Sequence, residues 1–92
     1  MKATKIKMKP GCGTSNNLLE IDSIFLTGCS EDGYYKKDKV YDYLKKDSSN
    51  SIQVNISPYP NLIPVKSKND EKYVRSMAND SENDNLLKLP RE

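Results

Sequence analysis

The sequence has no histidine, no tryptophan and a single phenylalanine, and its two cysteines, Cys12 and Cys29, form no Cys-x-x-Cys pair. Without histidine the commonest general base near neutral pH is missing. Without histidine or a cysteine pair the usual zinc-ligand sets cannot be assembled, so no metal and no cofactor is expected. No apolar run is long enough to span a bilayer. The basic N-terminal stretch runs into Pro10-Gly11-Cys12-Gly13 and not into an apolar core, so it does not read as a secretory signal. A cytoplasmic protein without a membrane contact is expected, with both thiols reduced. A Cys12–Cys29 disulfide between the loops flanking the second strand is the alternative, and it would stabilise so small a domain.

What is present is modest. Ninety-two residues suffice for one domain, residues 1–92, and no more. At 35% apolar and 30% charged, the composition sits near the border between a weak globular domain and a disordered chain. Six tyrosines shift the balance toward folding, because each carries a large ring into a thin core. Fifteen basic residues face thirteen acidic ones, and with a resulting charge of only +2 a nucleic-acid partner is not expected. The charges are nevertheless segregated. Lys2, Lys5, Lys7 and Lys9 make the N-terminus basic, while Asp70, Glu71, Asp80, Glu82 and Asp84 make the C-terminal third acidic. The lysines read first as a solvated strand face and second as an anion site. The abundance of Asn, Lys, Ile, Ser and Tyr is what AT-rich genomes of low-GC bacteria and their phages encode.

Residues 3–9 alternate lysines with Thr4, Ile6 and Met8, the period of a half-buried strand. After the break at 10–17, residues 18–27 form the most apolar stretch and predict a second strand, with a phase change near Ser23 that calls for a bulge. Gly28–Gly33 predicts a loop. Lys36–Lys46 predicts the single helix, with Val40, Tyr41, Tyr43 and Leu44 on adjacent turns and Tyr34 or Tyr35 beneath its start. Ile52–Ile56 alternates as a strand, and Pro58 and Pro60 then force a turn. Leu62–Ser67 is a short strand whose Pro64 requires an edge position. Lys68-Asn69-Asp70 turns the chain into a last strand over Glu71–Met77. The expectation is an α+β fold, a mostly antiparallel β-sheet with one helix packed on one face, in the order β-β-α-β-β-β.

The C-terminus carries a more specific pattern. Lys72-Tyr73-Val74-Arg75-Ser76 is followed by Asp80 and then by Asp84-Asn85-Leu86-Leu87-Lys88-Leu89-Pro90. This resembles the ending of the domain of unknown function 3892 family of small bacterial and phage proteins, in which a Tyr-Ile-Arg-Thr strand precedes Asp-Asn-Leu-Leu-x-Leu-Pro. Ala3-Thr4-Lys5-Ile6-Lys7-Met8 and the turn Gly11-Cys12-Gly13-Thr14 are similar to the family's N-terminal Ala-Thr-His-Ile-Arg-Met and Gly-Gly-Thr. Members often carry histidines after that turn, where this chain has Ser15, Asn16, Asn17 and Leu18. Acid–base chemistry on those histidines is therefore closed to it. In the motif, Leu86, Leu87 and Leu89 are expected to plug an open end of the sheet. Asp84 and Asn85 are expected to cap backbone amides, and Pro90 to stop the segment.

No nucleophile elbow, P-loop or dinucleotide fingerprint is present, and Cys12 has no imidazole partner. A non-enzymatic binding protein is the expectation. Gly11, Gly13 and Thr14 are candidates to present amides and a hydroxyl to an anion. Arg75 can add a bidentate contact to phosphate or carboxylate, with an ion pair to Asp80 or Asp84 as its structural alternative. Tyr34, Tyr35 and Tyr59 are candidates to stack on a base. Together they suit a nucleotide or other phosphorylated small molecule, which a phage-borne protein would sequester as a host signal. The alternative is a protein-interaction module, either a homodimer through the edge strand at Leu62–Val65 or an inhibitor of a host defence enzyme.

Overall fold

A computed structural model of the chain describes residues 1–57, 59–77 and 85–91, with the backbone alone of Asn85. In chain order the elements are β1 (Lys2–Met8), a 3-10 turn (Leu18–Glu20), β2 (Ile21–Thr27), β3 (Gly33–Lys36), α1 (Lys37–Lys46), β4 (Gln53–Val54), β5 (Leu62–Lys66), β6 (Lys72–Ser76) and a second 3-10 turn (Asn85–Lys88). The fold is α+β, as expected. Its strands divide into a four-stranded sheet, ordered β3-β2-β1-β4, and a separate two-stranded sheet of β5 and β6.

β1 and β2 pair antiparallel and set the core. Ala3 lies opposite Leu26, Ile6 opposite Ile24 and Met8 opposite Ile21, and all six are buried. The pairing slips twice, once at Thr4 and once at Asp22. The first slip puts Ala3 and Ile6 on one face although they are three residues apart. Ala3 is therefore inside, where strict alternation would have placed Thr4. The second slip is the phase change expected near Ser23, and it brings Ile21 and Ile24 to the same face. Leu18–Glu20 does not join the strand. Asn17 accepts the Leu19 N–H on its side chain and the Glu20 N–H on its carbonyl, which winds these residues into a 3-10 turn.

β3 is an additional strand. Two adjacent tyrosines show no alternation in the sequence, but as an edge strand they split between faces: Tyr35 lies opposite Ile24 and Tyr34 opposite Phe25. β4, at the other edge, runs parallel to β1 for only two residues. The strand expected over Ile52–Ile56 is cut short because Tyr59 N–H bonds back to the Ile56 carbonyl at 2.7 Å, with Tyr59 at φ 59. Where β4 leaves β1, the C-terminal segment takes over. Ile6 N–H donates to the Pro90 carbonyl at 2.9 Å, and Arg91 forms a parallel bridge with Ile6.

The second layer packs on one face of the sheet. α1 contributes buried Val40, Tyr41 and Leu44, with Asp38 in its first turn and Lys45 and Lys46 in its last, complementing the helix dipole. Asn50 donates its side-chain amide to the Tyr43 carbonyl at 2.8 Å and covers the helix end. β5 and β6 form a hairpin with Leu62 and Val74 inward, and Pro64 sits on a strand paired on one side only, consistent with its missing N–H. The hairpin is tied to the helix by Lys37–Glu71 at 3.0 Å and Lys72–Asp42 at 2.9 Å. The second 3-10 turn inserts Leu86 and Leu89 into the same core, with Leu87 half-buried against it and Pro90 exposed. Asp84 lies outside the described residues.

Leu86→Ala is expected to cost about 2–5 kcal/mol in chemical denaturation, as for other fully buried leucines, and Leu87→Ala clearly less. Equal losses at the two positions would contradict this placement. Glu71 also meets Lys9 at 3.4 Å, and Lys37 first and Lys9 second hold its carboxyl below the ordinary glutamate range. The folded-state pKa is thus below the unfolded one. The stabilisation is present above the unfolded value and is lost as pH falls through the folded one. Glu71→Gln is accordingly expected to flatten the acid limb of a Tm-against-pH curve.

Candidate functional site

An apolar concavity lies where the β2–β3 connection folds over the start of α1. It is a cleft of about 360 Å³ with Met1, Leu26 and Val40 as its floor and Tyr35 and Tyr43 among its walls. Local sequence builds each wall. Gly28 adopts φ +81, and a Cβ there would come within 3.3 Å of the Met1 backbone, so glycine lets Met1 lie against the turn. Asp32 accepts the Gly28 N–H at 3.2 Å and closes the loop. The β2–β3 register turns Tyr35 to the core face, and Tyr43 stands at the margin of the helix's buried stripe, 36% exposed.

The polar groups of this cleft are few. Cys29 Sγ donates to the Glu31 carbonyl at 3.2 Å, and the Tyr35 hydroxyl donates to the same carbonyl. Desolvation, then the neighbouring Cys29, pushes the Tyr35 phenol above its ordinary value, so it remains neutral. Lys39 is exposed at the cleft and forms no ion pair among the described residues. The site therefore offers an apolar floor, ring-bearing walls and the Lys39 ammonium.

A second concavity, of about 410 Å³, is lined by Asp22, Lys36, Lys37, Asp70, Glu71 and Lys72 among others. Its charges are largely committed to one another, with Lys36–Asp22 at 2.9 Å and Lys37–Glu71 at 3.0 Å. It is an ion-pair network that ties hairpin, helix and sheet together.

Of the residues expected to bind a phosphorylated ligand, Gly11, Gly13 and Thr14 share one loop, while Tyr34 and Tyr59 lie at opposite edges of the four-stranded sheet. Gly11 takes φ +79 in a turn closed by Cys12 N–H donating to the Lys9 carbonyl at 2.9 Å. Gly13 and Thr14 are exposed. The loop offers carbonyls to a cation of its own chain: Arg91 donates to the Gly13 carbonyl at 2.9 Å, the Ser15 carbonyl at 2.8 Å and the Leu87 carbonyl at 3.0 Å. Arg75 is exposed on β6, opposite Ile63, and forms no ion pair among the described residues; Asp80 and Asp84 lie outside them. Tyr34 is on the face of the sheet away from the helix, beside Phe25. Tyr59 is half-exposed in the turn after β4, at the opposite edge of the sheet. Sequence reasoning missed Lys39, Tyr43 and Arg91 as site or clamp residues. Only Arg91 left a signal, as a cation directly after an apolar segment that had to dock.

The cysteines are both free. They stand at opposite ends of the seven-residue strand β2, roughly 20 Å apart at strand rise, which is too far for the disulfide held open above. Cys12 Sγ donates to Glu20 at 3.0 Å, and Ser15 donates to the other oxygen of the same carboxylate. The hydrogen bond to Glu20 is the main cause of a raised Cys12 pKa, so the group is held as a thiol.

Fold and site together define a small α+β protein with an apolar cleft between its sheet and its helix. The family whose description is Protein of unknown function (DUF3892) matches residues 3–90, and the chain belongs to it. No curated protein and no solved structure matches. Among the described residues, no helix is long and apolar enough to cross a membrane.

Cys12 is expected to alkylate more slowly than an unstructured cysteine at mildly alkaline pH, and Glu20→Gln to speed it up. Site-resolved mass spectrometry of iodoacetamide-treated protein measures both. An unchanged rate in the variant would show that Glu20 does not hold the thiol.

Proposed function

We propose that this chain is a non-enzymatic small-molecule-binding protein whose ligand combines a planar apolar body with an anionic group. The observation that carries this reading is the cleft itself. Its volume falls at the lower end of ligand pockets, Tyr35 and Tyr43 supply ring surface, and Lys39 supplies the charge. The Cys29 and Tyr35 donors are already taken by the Glu31 carbonyl. A nucleoside monophosphate and an aromatic carboxylate share this chemistry. If the occupant is the nucleotide, the role we propose is sequestration of a phosphorylated signal, as a phage-borne protein in the cytoplasm would perform it.

The engagement of both thiols supports the non-enzymatic reading, since Cys12 is held protonated by Glu20 and Cys29 is bonded to a backbone carbonyl. The competing role, a homodimer or partner contact through β5, has less support. Leu62 N–H already donates to the Ile52 carbonyl at 2.8 Å, and Pro64 has no N–H to offer a partner strand.

A thermal-shift titration against nucleoside monophosphates and aromatic carboxylates tests the proposal. One of the two classes is expected to raise Tm. Lys39→Gln is expected to weaken that ligand roughly tenfold or more, the loss of a charged hydrogen bond. No shift with either class, or full binding by the variant, would rule the cleft out as the site.

A further inference from the structure

The face of the sheet turned away from the helix carries an arrangement that the net charge conceals. Because β1 slips at Thr4, Lys2, Lys5 and Lys7 all come to this face. Lys2 lies opposite Thr27, Lys5 opposite Phe25, and Lys7 opposite Ser23. β3 extends the rows, with Tyr34 beyond Phe25 and Lys36 beyond Ser23. Lys2, Lys5, Lys7 and Lys36 are exposed, and only Lys36 has an ion-pair partner among the described residues, Asp22. Between the lysines lie two half-buried rings, Phe25 and Tyr34, edge to face with centroids 5.0 Å apart, the Tyr34 hydroxyl being buried. Lys5 Nζ rests over the Phe25 ring at 5.2 Å from its centroid.

We propose that this face binds single-stranded nucleic acid. Lysines at alternate strand positions lie on the order of 7 Å apart and track a phosphate backbone. Rings on a sheet surface stack on unpaired bases whatever their sequence. Lys5 occupies the ring face that a base would take and would turn to a phosphate on binding. Duplex DNA fits less well, because its bases are already stacked and out of reach of Phe25. The surface is on the opposite side of the sheet from the cleft, so it stands independently of the ligand reading above.

Fluorescence anisotropy of the full chain with a labelled oligothymidine of about 12 nucleotides tests the proposal. Three neutralised phosphates, at a slope of about −0.7 each, predict roughly 100-fold weaker binding over a tenfold rise in salt. K5Q/K7Q is expected to lower affinity and cut the salt slope to about a third. K45Q/K46Q, on the far end of α1, is expected to change neither. Phe25→Leu is expected to weaken binding by roughly 5- to 100-fold with the salt slope kept. Should that variant fail to fold, the lysine pair decides the matter. Absence of binding at low salt overturns the proposal, as does unaltered binding by K5Q/K7Q. Equal or tighter binding of a duplex, or of a heparin fragment of equal charge, overturns it too.

Discussion

Ile6 N–H donates to the carbonyl of Pro90 at 2.9 Å, and most of the architecture hangs on that contact. β1 is an inner strand only because something pairs with its second edge. β4 covers that edge at Lys2 and Ala3 and then turns away. Without the C-terminal segment the amide of Ile6, a residue with no exposed surface, would be left unsatisfied beside the core, at a cost comparable to a lost buried hydrogen bond. The same docking carries Leu86 and Leu89 into the layer beneath the sheet. It also brings Arg91 to three carbonyls, two of them in the glycine loop. One end of the chain thereby fixes the loop near the other.

That clamp changes the chemistry of the glycine loop. The loop turns two carbonyls toward a guanidinium of its own chain, and an apolar concavity forms elsewhere, beside α1. The β2–β3 register supplies it. Tyr34 and Tyr35 are neighbours in sequence and are separated by the sheet: Tyr35 joins the apolar cleft beside α1, and Tyr34 joins Phe25 on the other face. The cleft joins an apolar lining to the Lys39 ammonium, which suits the small planar anion we propose for it. The opposite face is broad, basic and ring-bearing, which suits an extended polyanion. The two surfaces differ in shape because one is closed over by the helix and the β2–β3 loop.

Much of this was legible from local pattern. The alternation in β1, the apolar run of β2, the amphipathic turns of α1 and the prolines around Tyr59 give elements close to those found, and Asp84 to Pro90 marks the family. What was not legible depended on pairing. The slip at Thr4 exchanges Thr4 for Ala3 in the core, and no property of either residue announces it. Tyr34 and Tyr35 look like loop residues until β2 lies beside them. Lys39 and Tyr43 become site residues only once the β2–β3 loop closes above the helix.

Sequence alone therefore determined the class of fold, the family and the absence of histidine chemistry, because these follow from composition, short-range periodicity and a linear motif. Tertiary structure alone decided that Arg91 reaches two carbonyls of the glycine loop, and that the cysteines stand at opposite ends of a strand. It also decided that three lysines share one face. Each of these depends on register and on long-range docking. Those are set by the total burial of Ile6, Leu86 and their neighbours and not by any residue's own preference.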